Sequence, residues 1–552
     1  MLIKGWKVKV VSLLIVTVLV LTACSNNGNQ GSNTSTSNSS SGSKSNTEAA
    51  ASSNFNETGY PIVNEPITMS MMGYKHVIQG PWEDMHFFHE MEKMTNIKFT
   101  YDTPAADAYT EAKNLTFTSG NLPDVFFGGN LSTTDEMKYG AQGLLIPLED
   151  LIEKYAPNLT KIFEERPNIK SSITSTDGHI YALPAVQTAE SSNHSPLWIN
   201  GEWLEKLNLK VPETTEEFYQ MLKAFKTQDP NQNGQPDEIP LTSDKPGGAK
   251  TVAVFDMLLN GYGLLGRDIQ AQDGKVFYGV MHPNYKEWLV YMDKLYSEGL
   301  IDPDIYTQSG ADVTAKGMEG KIGVTLKARP DLAWDIPNQE DIYKYPMTPV
   351  LTSEFNSKKM YNKRTGIERG TFAITNKNPN PAAMIRWIDY LYSEEGSIFV
   401  HYGPEGMLWE YADKATGIKR YKQPEGLSVE EYRGSITPNV GTGVPKLVRP
   451  ETEYNWDDAS ARHRVTEATE KLIPHGVVPY PDVYFTEEEQ ARLDVLVTDI
   501  QTYITQSEAQ FVTGQLKVAN DYDKFIQTLE KMNIAEVESI HQAAYDRWAA
   551  AK

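Results

Sequence analysis

SGNLPDVFFGGN, residues 119–130, is the stretch on which the architecture turns. Ser119 and Gly120 end a segment, 106–119, with helical character. Pro123-Asp-Val-Phe-Phe127 then reads as a strand that runs into Gly128-Gly129. Working upstream, Ile67–Met72 reads as a first strand. Residues 85–95 carry Phe87, Phe88, Met91 and Met94 at helical spacing, and Ile97–Tyr101 reads as a second strand. Strand, helix, strand, helix, strand predicts a parallel sheet with right-handed crossovers. Such sheets bind ligands at the carboxyl ends of their strands. This places Gly73, Tyr74 and Trp82 after the first strand, and Gly128, Gly129 and Asn130 after the third, beside a cleft.

Downstream, 148–155 is helical and 178–184 is a short strand closed by Pro184. The pattern restarts at Leu197-Trp-Ile199, a strand, followed by a helix at 201–207 and a helix at 215–226 behind Pro212-Glu-Thr-Thr. Helices are expected at 251–260, 284–297 and 379–394, and strands at 320–325 and 370–375. The tail, 486–551, reads as mostly helical. No internal repeat is visible. Roughly 490 residues follow residue 60, too many for one small core. A second domain inserted within the first fits this order, with the 370–375 strand returning to the first.

The start of the chain points outside the cell. Lys4, Lys7 and Lys9 precede an apolar run, 10–21, too short to read as a membrane span. Leu21-Thr-Ala-Cys24 looks like the lipobox of a bacterial lipoprotein, in which the signal is removed and the cysteine is lipidated. Cys24 is the sole cysteine, so an internal disulfide is impossible. Residues 25–56 are rich in Ser, Asn, Gly and Thr, a composition with almost nothing to bury. The expected plan is a signal segment (1–23) and a flexible tether (24–60) that leaves the lipid anchor at Cys24. Formal charge is -22, and residues 1–23 hold three lysines and no acid, so the remainder carries about -25. No basic cluster stands out, which argues against nucleic acid as partner.

DPNQNGQPDEIP, 229–240, places oxygen-bearing side chains at alternating positions around Gly234. Calcium takes six to eight hard oxygens from a flexible loop. Asp229, Asn231, Asn233, the Gln235 carbonyl and Asp237 occupy positions 1, 3, 5, 7 and 9 of such a loop. Pro240 stands where a closing glutamate is usual, and Glu238 is the nearest substitute. A polar turn without an ion is the alternative.

Six stretches carry a family resemblance: Ser119–Phe126; Gly143-Leu-Leu-Ile-Pro-Leu-Glu-Asp150; Trp198–Thr214; Trp387-Ile-Asp-Tyr-Leu-Tyr-Ser-Glu-Glu-Gly396; Tyr402-Gly-Pro-Glu-Gly-Met-Leu-Trp409; and Phe511-Val-Thr-Gly514. In this order, behind a lipobox, the chain resembles the extracellular solute-binding lipoproteins of bacterial carbohydrate ABC importers. The similarity is to the calcium-loop branch of Gram-positive bacteria that binds oligosaccharides, such as alginate and fructo-oligosaccharides, and it spans about residue 65 to the C terminus. The departures are small: Asn121 and Val512 replace the usual acidic residue and isoleucine.

The resemblance implies an α/β, periplasmic-binding-protein-like fold of two hinged lobes. We expect 61–190 plus 370–435 in the first lobe and 191–369 plus 436–552 in the second, with crossings near 185–196, 370 and 430–440. It also implies a structural Ca2+, an oligosaccharide ligand, permease subunits as partners, and a monomer on the outer face of the cytoplasmic membrane.

No H-E-x-x-H, G-x-S-x-G or Walker A pattern occurs, and an enzyme is not expected. A glycosidase carboxylate pair is invisible to counting, and a peptide-binding importer receptor is the alternative within transport. Sugars are held by aromatic stacking and by polar groups at their edges. The ligand candidates are therefore Trp82, Trp198, Trp334, Trp409 and Trp456, with Asn130, Arg364 and Arg433. Lys75 and Lys113 are of lower rank. Trp203, Trp288, Trp387 and Trp548 fall at helical spacings that suit a core.

Overall fold

Alternate side chains of Ile67–Met72, Val125–Phe127 and Ile367–Ile374 point into two separate cores, which makes the sheet they form a buried middle layer. Met69, Met71, Val125, Phe127, Phe372 and Ile374 face helices His86–Thr95 and Pro381–Asp389. Met72, Phe126 and Ala373 face Tyr109–Ser119 and Thr133–Ala141 on the other side. This computed structural model describes residues 54–190, 196–244, 253–422 and 424–550. The signal segment, Cys24 and the tether up to residue 53 lie outside the described residues.

The sheet has six strands in the order Lys446–Val448, Leu183–Gln187, Ile367–Ile374, Val125–Phe127, Ile67–Met72, Ile97–Asp102. Ile67–Met72 runs parallel to both neighbours, with Ile67 opposite Ile97 and Met71 opposite Val125. Ile367–Ile374 is antiparallel to the strands on either side of it, so the sheet is mixed. The sequence predicts a strand over 178–184 that stops at Pro184. The observed strand is Leu183–Gln187, with Pro184 inside it. The register shifts between Glu368 and Phe372, opposite Ala185 and Leu183, and at that irregularity the ladder does not need the missing proline N–H.

The second lobe is built on a three-stranded sheet, Leu197–Ile199, Ile322–Leu326, Ile239–Thr242, with the middle strand antiparallel to the first and parallel to the last. Its core joins Trp203, Phe218, Phe225, Phe255 and Trp288 to Ile500, Ile504, Phe511 and Phe525 of the C-terminal helices. Those helices, Glu487–Val512, Val518–Lys531 and Ile534–Ala550, therefore complete the second lobe.

The chain passes between the sheets three times. It leaves the large sheet after Gln187 and enters the small one at Leu197. It returns between Tyr361, in the second-lobe core, and Ile367. The last passage differs from the expected 430–440. Lys446–Val448 pairs with Ala185–Gln187 in the large sheet, and Trp456 still packs on Tyr402 and Tyr421. The chain joins the second lobe from Asp458, paired with Arg329, to His463, whose ring lies 5.4 Å from that of Trp198. A three-residue strand is too short to show a period in the sequence, which is why the boundary at 435/436 falls about twenty residues early.

Candidate ligand cleft

The carboxyl end of Ile67–Met72 opens into residues 73–80, and this loop is fastened to residues 438–443 by one buried side chain. Gln79 Nε2 donates to the carbonyls of Pro438 (2.7 Å) and Val440 (2.8 Å) and to Thr442 Oγ1 (3.1 Å). Trp82 Nε1 holds Gln79 in place by donating to its Oε1 at 3.0 Å. Trp82 thus shapes the cleft wall from behind, stacked on Phe88 within the core.

Beyond that wall, Tyr74 is half-buried. Its hydroxyl accepts from Gly443 N at 3.0 Å, and its ring tilts against Tyr109. Burial raises its pKa. A Cβ on Gly443 would sit 1.9 Å from Glu368 Oε1, so only glycine admits the exposed Glu368 this close. On the far side, Asn130 is exposed with φ +42°, and its carbonyl accepts from Lys113 Nζ at 3.0 Å. Lys113 is itself buried and paired with Asp135 at 2.6 Å. It therefore positions the Asn130 turn and presents no charge to a ligand.

Arg433, His401 and Lys446 surround one space. Burial lowers the Lys446 pKa to about 8, and it pushes His401 well below the ordinary histidine range; Arg433 lowers both further by its charge. Arg433 Nη2 donates to Glu430 Oε2, while its Nε, like His401 Nδ1, is sealed from solvent without a hydrogen-bond partner among the described residues. Lys446 Nζ donates to Asn439 Oδ1. A cavity of about 660 Å³ adjoins this group, lined by Gln187, Arg364, Glu368, His401, Lys446 and Tyr480.

The aromatic element of the cleft is a stacked pair. Trp456 is buried with its Nε1 donating to Thr452 O at 2.8 Å, and Tyr421 lies over it at 4.2 Å and 16°. Tyr421 is the half-exposed member. Burial pushes its pKa up to about 12, against the opposing pull of Arg433 and of Arg329. Arg329 belongs to the second lobe. It follows the carboxyl end of Ile322–Leu326 and pairs with Asp331 (3.0 Å) and Asp458 (3.3 Å). Side chains from the strand ends of both lobes therefore face one another.

Four of the tryptophans expected at the ligand lie elsewhere. Trp82, Trp198 and Trp334 are 0, 0 and 3% exposed and offer no open ring face. Trp198 Nε1 donates to Lys327 O and Trp334 Nε1 to Ile322 O, which fixes both as packing around the second sheet. Trp409 is buried against Tyr411 and borders a cavity of about 610 Å³ lined by first-lobe residues alone. Arg364 lines the 660 Å³ cavity, Arg433 acts on His401 and Lys446 beside it, Asn130 stands exposed after Val125–Phe127, and Trp456 is buried beneath Tyr421. Glu368, His401, Tyr421, Lys446 and Arg329 were missed. Arg329 follows a strand and Tyr421 ends the short hairpin of Trp409–Asp413 with Ile418–Tyr421, whose few residues carry no clear alternation; Glu368 and Lys446 lie in strands and His401 in a helix, where nothing local marks them out.

The 229–238 loop lies apart from this cleft, on the second lobe. Asp229 accepts from the N–H of Asn233 and Gly234 (both 3.1 Å), Asn231 from Asn233 N (3.1 Å), and Asn233 from Gln235 N (2.7 Å). These turns curl the backbone around its own oxygens, with Asp229, Gln232 and Gly234 at positive φ. The Asn231 and Asn233 amides donate to Asp237 Oδ1. Glu238 is 1% exposed, and its Oε1 has no partner among the described residues. Burial raises its pKa, and the charges of Asp229 and Asp237 raise it further, so three carboxyl groups share the loop. Among the described residues no three Asp, Glu, His or Cys side chains are gathered tightly enough, as they stand, to hold a metal ion. The donor set nonetheless fits a hard cation: oxygens only, with one buried carboxylate oxygen unsatisfied.

Two α/β lobes, three connecting passages and a polar, aromatic-backed cleft at the strand ends define a hinged ligand receptor. The chain belongs to the bacterial extracellular solute-binding protein family, whose model matches residues 77–398. It is 30% identical over 480 residues to the fructooligosaccharide ABC transporter substrate-binding protein FusA of Streptococcus pneumoniae serotype 4, covering 84% of this chain and 87% of that protein. The structure of S. pneumoniae FusA in complex with kestose matches with a TM-score of 0.72 and 28% identity, over 88% of this chain and all of that one. A FusA EF-hand mutant in complex with fructo-nystose matches with the same TM-score and coverage at 27% identity. Among the described residues no helix is long and apolar enough to cross a membrane.

Proposed function

We propose that the protein is a lipid-anchored extracellular receptor that captures a neutral oligosaccharide between its lobes. It then delivers the sugar to the permease subunits of an ABC importer, as a monomer and without catalysing a reaction. The observation that carries this reading is the Tyr421–Trp456 stack at the cleft, with Arg433 and Arg329 acting on the Tyr421 ring from the two lobes. A sugar ring offers C–H groups on one face and hydroxyls at its edge. The half-exposed Tyr421 ring suits the face, and Glu368, Asn130, Arg364 and Arg433 suit the edge. Neutrality is favoured because two of the arginines already face carboxylates: Arg433 with Glu430, and Arg329 with Asp331 and Asp458. FusA, named for fructooligosaccharides, supports the same class. The anchor rests on Cys24, whose lipidation would hold the receptor at the membrane.

The 229–238 loop serves as a structural calcium site in this reading. Asp229, Asn231, Asn233, the Gln235 carbonyl, Asp237 and Glu238 would hold the ion, which would neutralise the loop's crowded carboxylates. The FusA EF-hand mutant shows that this relative has an EF-hand to mutate.

A calorimetric screen tests the function against fructo-oligosaccharides, other neutral oligosaccharides, uronate oligosaccharides and peptides of two to six units. Neutral oligosaccharides are expected to bind. Binding of peptides alone, or release of reducing ends from bound sugar over time, overturns the proposal.

A further inference from the structure

Residues 479–484 straddle the two lobes. Their first half is tied to the second lobe: Ala271 N donates to Pro479 O at 2.7 Å, and Tyr480 Oη donates to His541 O at 2.7 Å. Their second half is tied to the first. Tyr484 Oη lies 2.7 Å from Glu136 Oε2 and 3.1 Å from Ile173 O, and the Arg369 guanidinium stacks on the Tyr484 ring at 3.8 Å. Arg369 Nη1 also donates to Val483 O at 3.5 Å. Cavities of about 460 and 370 Å³ border the strap, so it has room to shift.

We propose that this strap is a latch on the lobe angle, held when Glu136 carries a proton and released when Glu136 ionises. Glu136 is 1% exposed, and its Oε1 lacks a partner, as do Arg369 Nε and Nη2, among the described residues. Tyr484 has one hydroxyl hydrogen and two acceptors in reach. With Glu136 protonated, its hydroxyl donates to Tyr484 and Tyr484 donates to Ile173 O, so the Tyr484 hydroxyl and the Ile173 carbonyl are both paired. With Glu136 ionised, the Tyr484 hydrogen turns to the carboxylate and Ile173 O loses its donor. The buried negative charge also draws Arg369 off the ring toward itself, which removes the stack that clamps the strap.

The charged neighbours allow the switch to fall near neutral pH. Burial raises the Glu136 pKa to about 7, opposed by Arg369 and by the Tyr484 hydrogen bond and aided by Asp135 on its own helix. Asp482, on the strap, faces Arg369. From the C-terminal helices, Arg547 pairs with Glu489 and reaches the Tyr484 carbonyl at 3.5 Å, and Lys170 lines the same cavity. Glu136 lies on the helix that follows Asn130, and Arg369 follows Glu368, so the latch adjoins both sides of the cleft.

The experiment uses the full ligand-free protein, so its outcome is independent of which sugar binds. Amide exchange of 478–486, corrected for intrinsic rates, is measured at pH 5.5 and 8.5 together with the radius of gyration. Wild type should exchange about fivefold to tenfold faster at pH 8.5, the order expected for loss of one cation–π contact, with a change in radius. Glu136→Gln keeps the fold and should stay protected at both pH values. Tyr484→Ala, which removes both the hydroxyl and the ring that Arg369 covers, should exchange fast at both. Equal protection of wild type at the two pH values, an undiminished step in Glu136→Gln, or an exchange step without a change in radius overturns the latch.

Discussion

Tyr421 and Trp82 show what one aromatic side chain does on each side of the cleft wall. Tyr421 is partly exposed, stacks on Trp456 and helps pack its hairpin. Tyr421→Ala is expected to weaken sugar binding by about tenfold to a hundredfold, the range of a stacked contact worth about 1–3 kcal/mol, and to lower the melting temperature of the free protein through lost packing, whereas Tyr421→Phe keeps the ring and should retain both; calorimetry and a thermal scan read the two effects. Trp82 is fully buried and also orients Gln79. Trp82→Ala should cost about 3–5 kcal/mol of stability, read from a shifted denaturant midpoint. Glu136 adds a pH effect. Its native pKa is raised above the unfolded value, so the native state holds its proton more tightly. Its contribution is fully present below the unfolded pKa of about 4.3 and is lost as pH rises through about 7, a span of about 4 kcal/mol. Glu136→Gln should flatten the stability profile over that interval; an unchanged profile would show that Glu136 does not titrate there. The sequence announces that tryptophans are plentiful and which lie on helices. Whether a tryptophan outside the helices faces ligand or core depends on neighbours far along the chain, as with Trp198 and His463, and is not written locally.

At the scale of the element, the 229–238 loop is the most legible part of the chain because its chemistry is local. Side-chain oxygens and Gly234 occur at fixed offsets, and in the structure the side chains of Asp229, Asn231 and Asn233 accept from the backbone within the same loop. Strand Lys446–Val448 is the opposite case: three residues whose identity as a strand comes wholly from pairing with Leu183–Gln187. Ion binding to the native loop alone should stabilise the protein by about 2.7 kcal/mol when calcium is present at a hundred times its dissociation constant. Chelator should therefore lower the melting temperature of wild type. Asp229→Ala with Asp237→Ala should hold it at the chelated value with or without calcium, and sugar affinity should change little because the loop is remote from the cleft. A wild-type melting temperature indifferent to chelator would make the loop a polar turn.

Across the whole molecule, three passages join two lobes with separate cores, and such an arrangement bends at the passages before either core deforms. The first three strands of the first lobe were legible because helices separate them and each alternates or runs apolar. The last passage was not, because the hairpin and short strand before it owe their lobe to Tyr402, Tyr421 and Trp456 packing together. A compact globule of roughly 490 residues has a radius of gyration of about 23 Å, and a two-lobed chain held open must exceed it. A ligand that contacts both lobes binds the closed form better and draws the population toward it. Titration with the oligosaccharide identified by calorimetry should therefore lower the radius toward about 23 Å, saturating at the calorimetric stoichiometry. Tyr421→Ala should need proportionately more sugar to reach the same end point, because it weakens the contact without altering the hinge. A radius that stays constant while calorimetry reports saturation would mean that the sugar is held by one lobe, and that the three passages form a rigid strut.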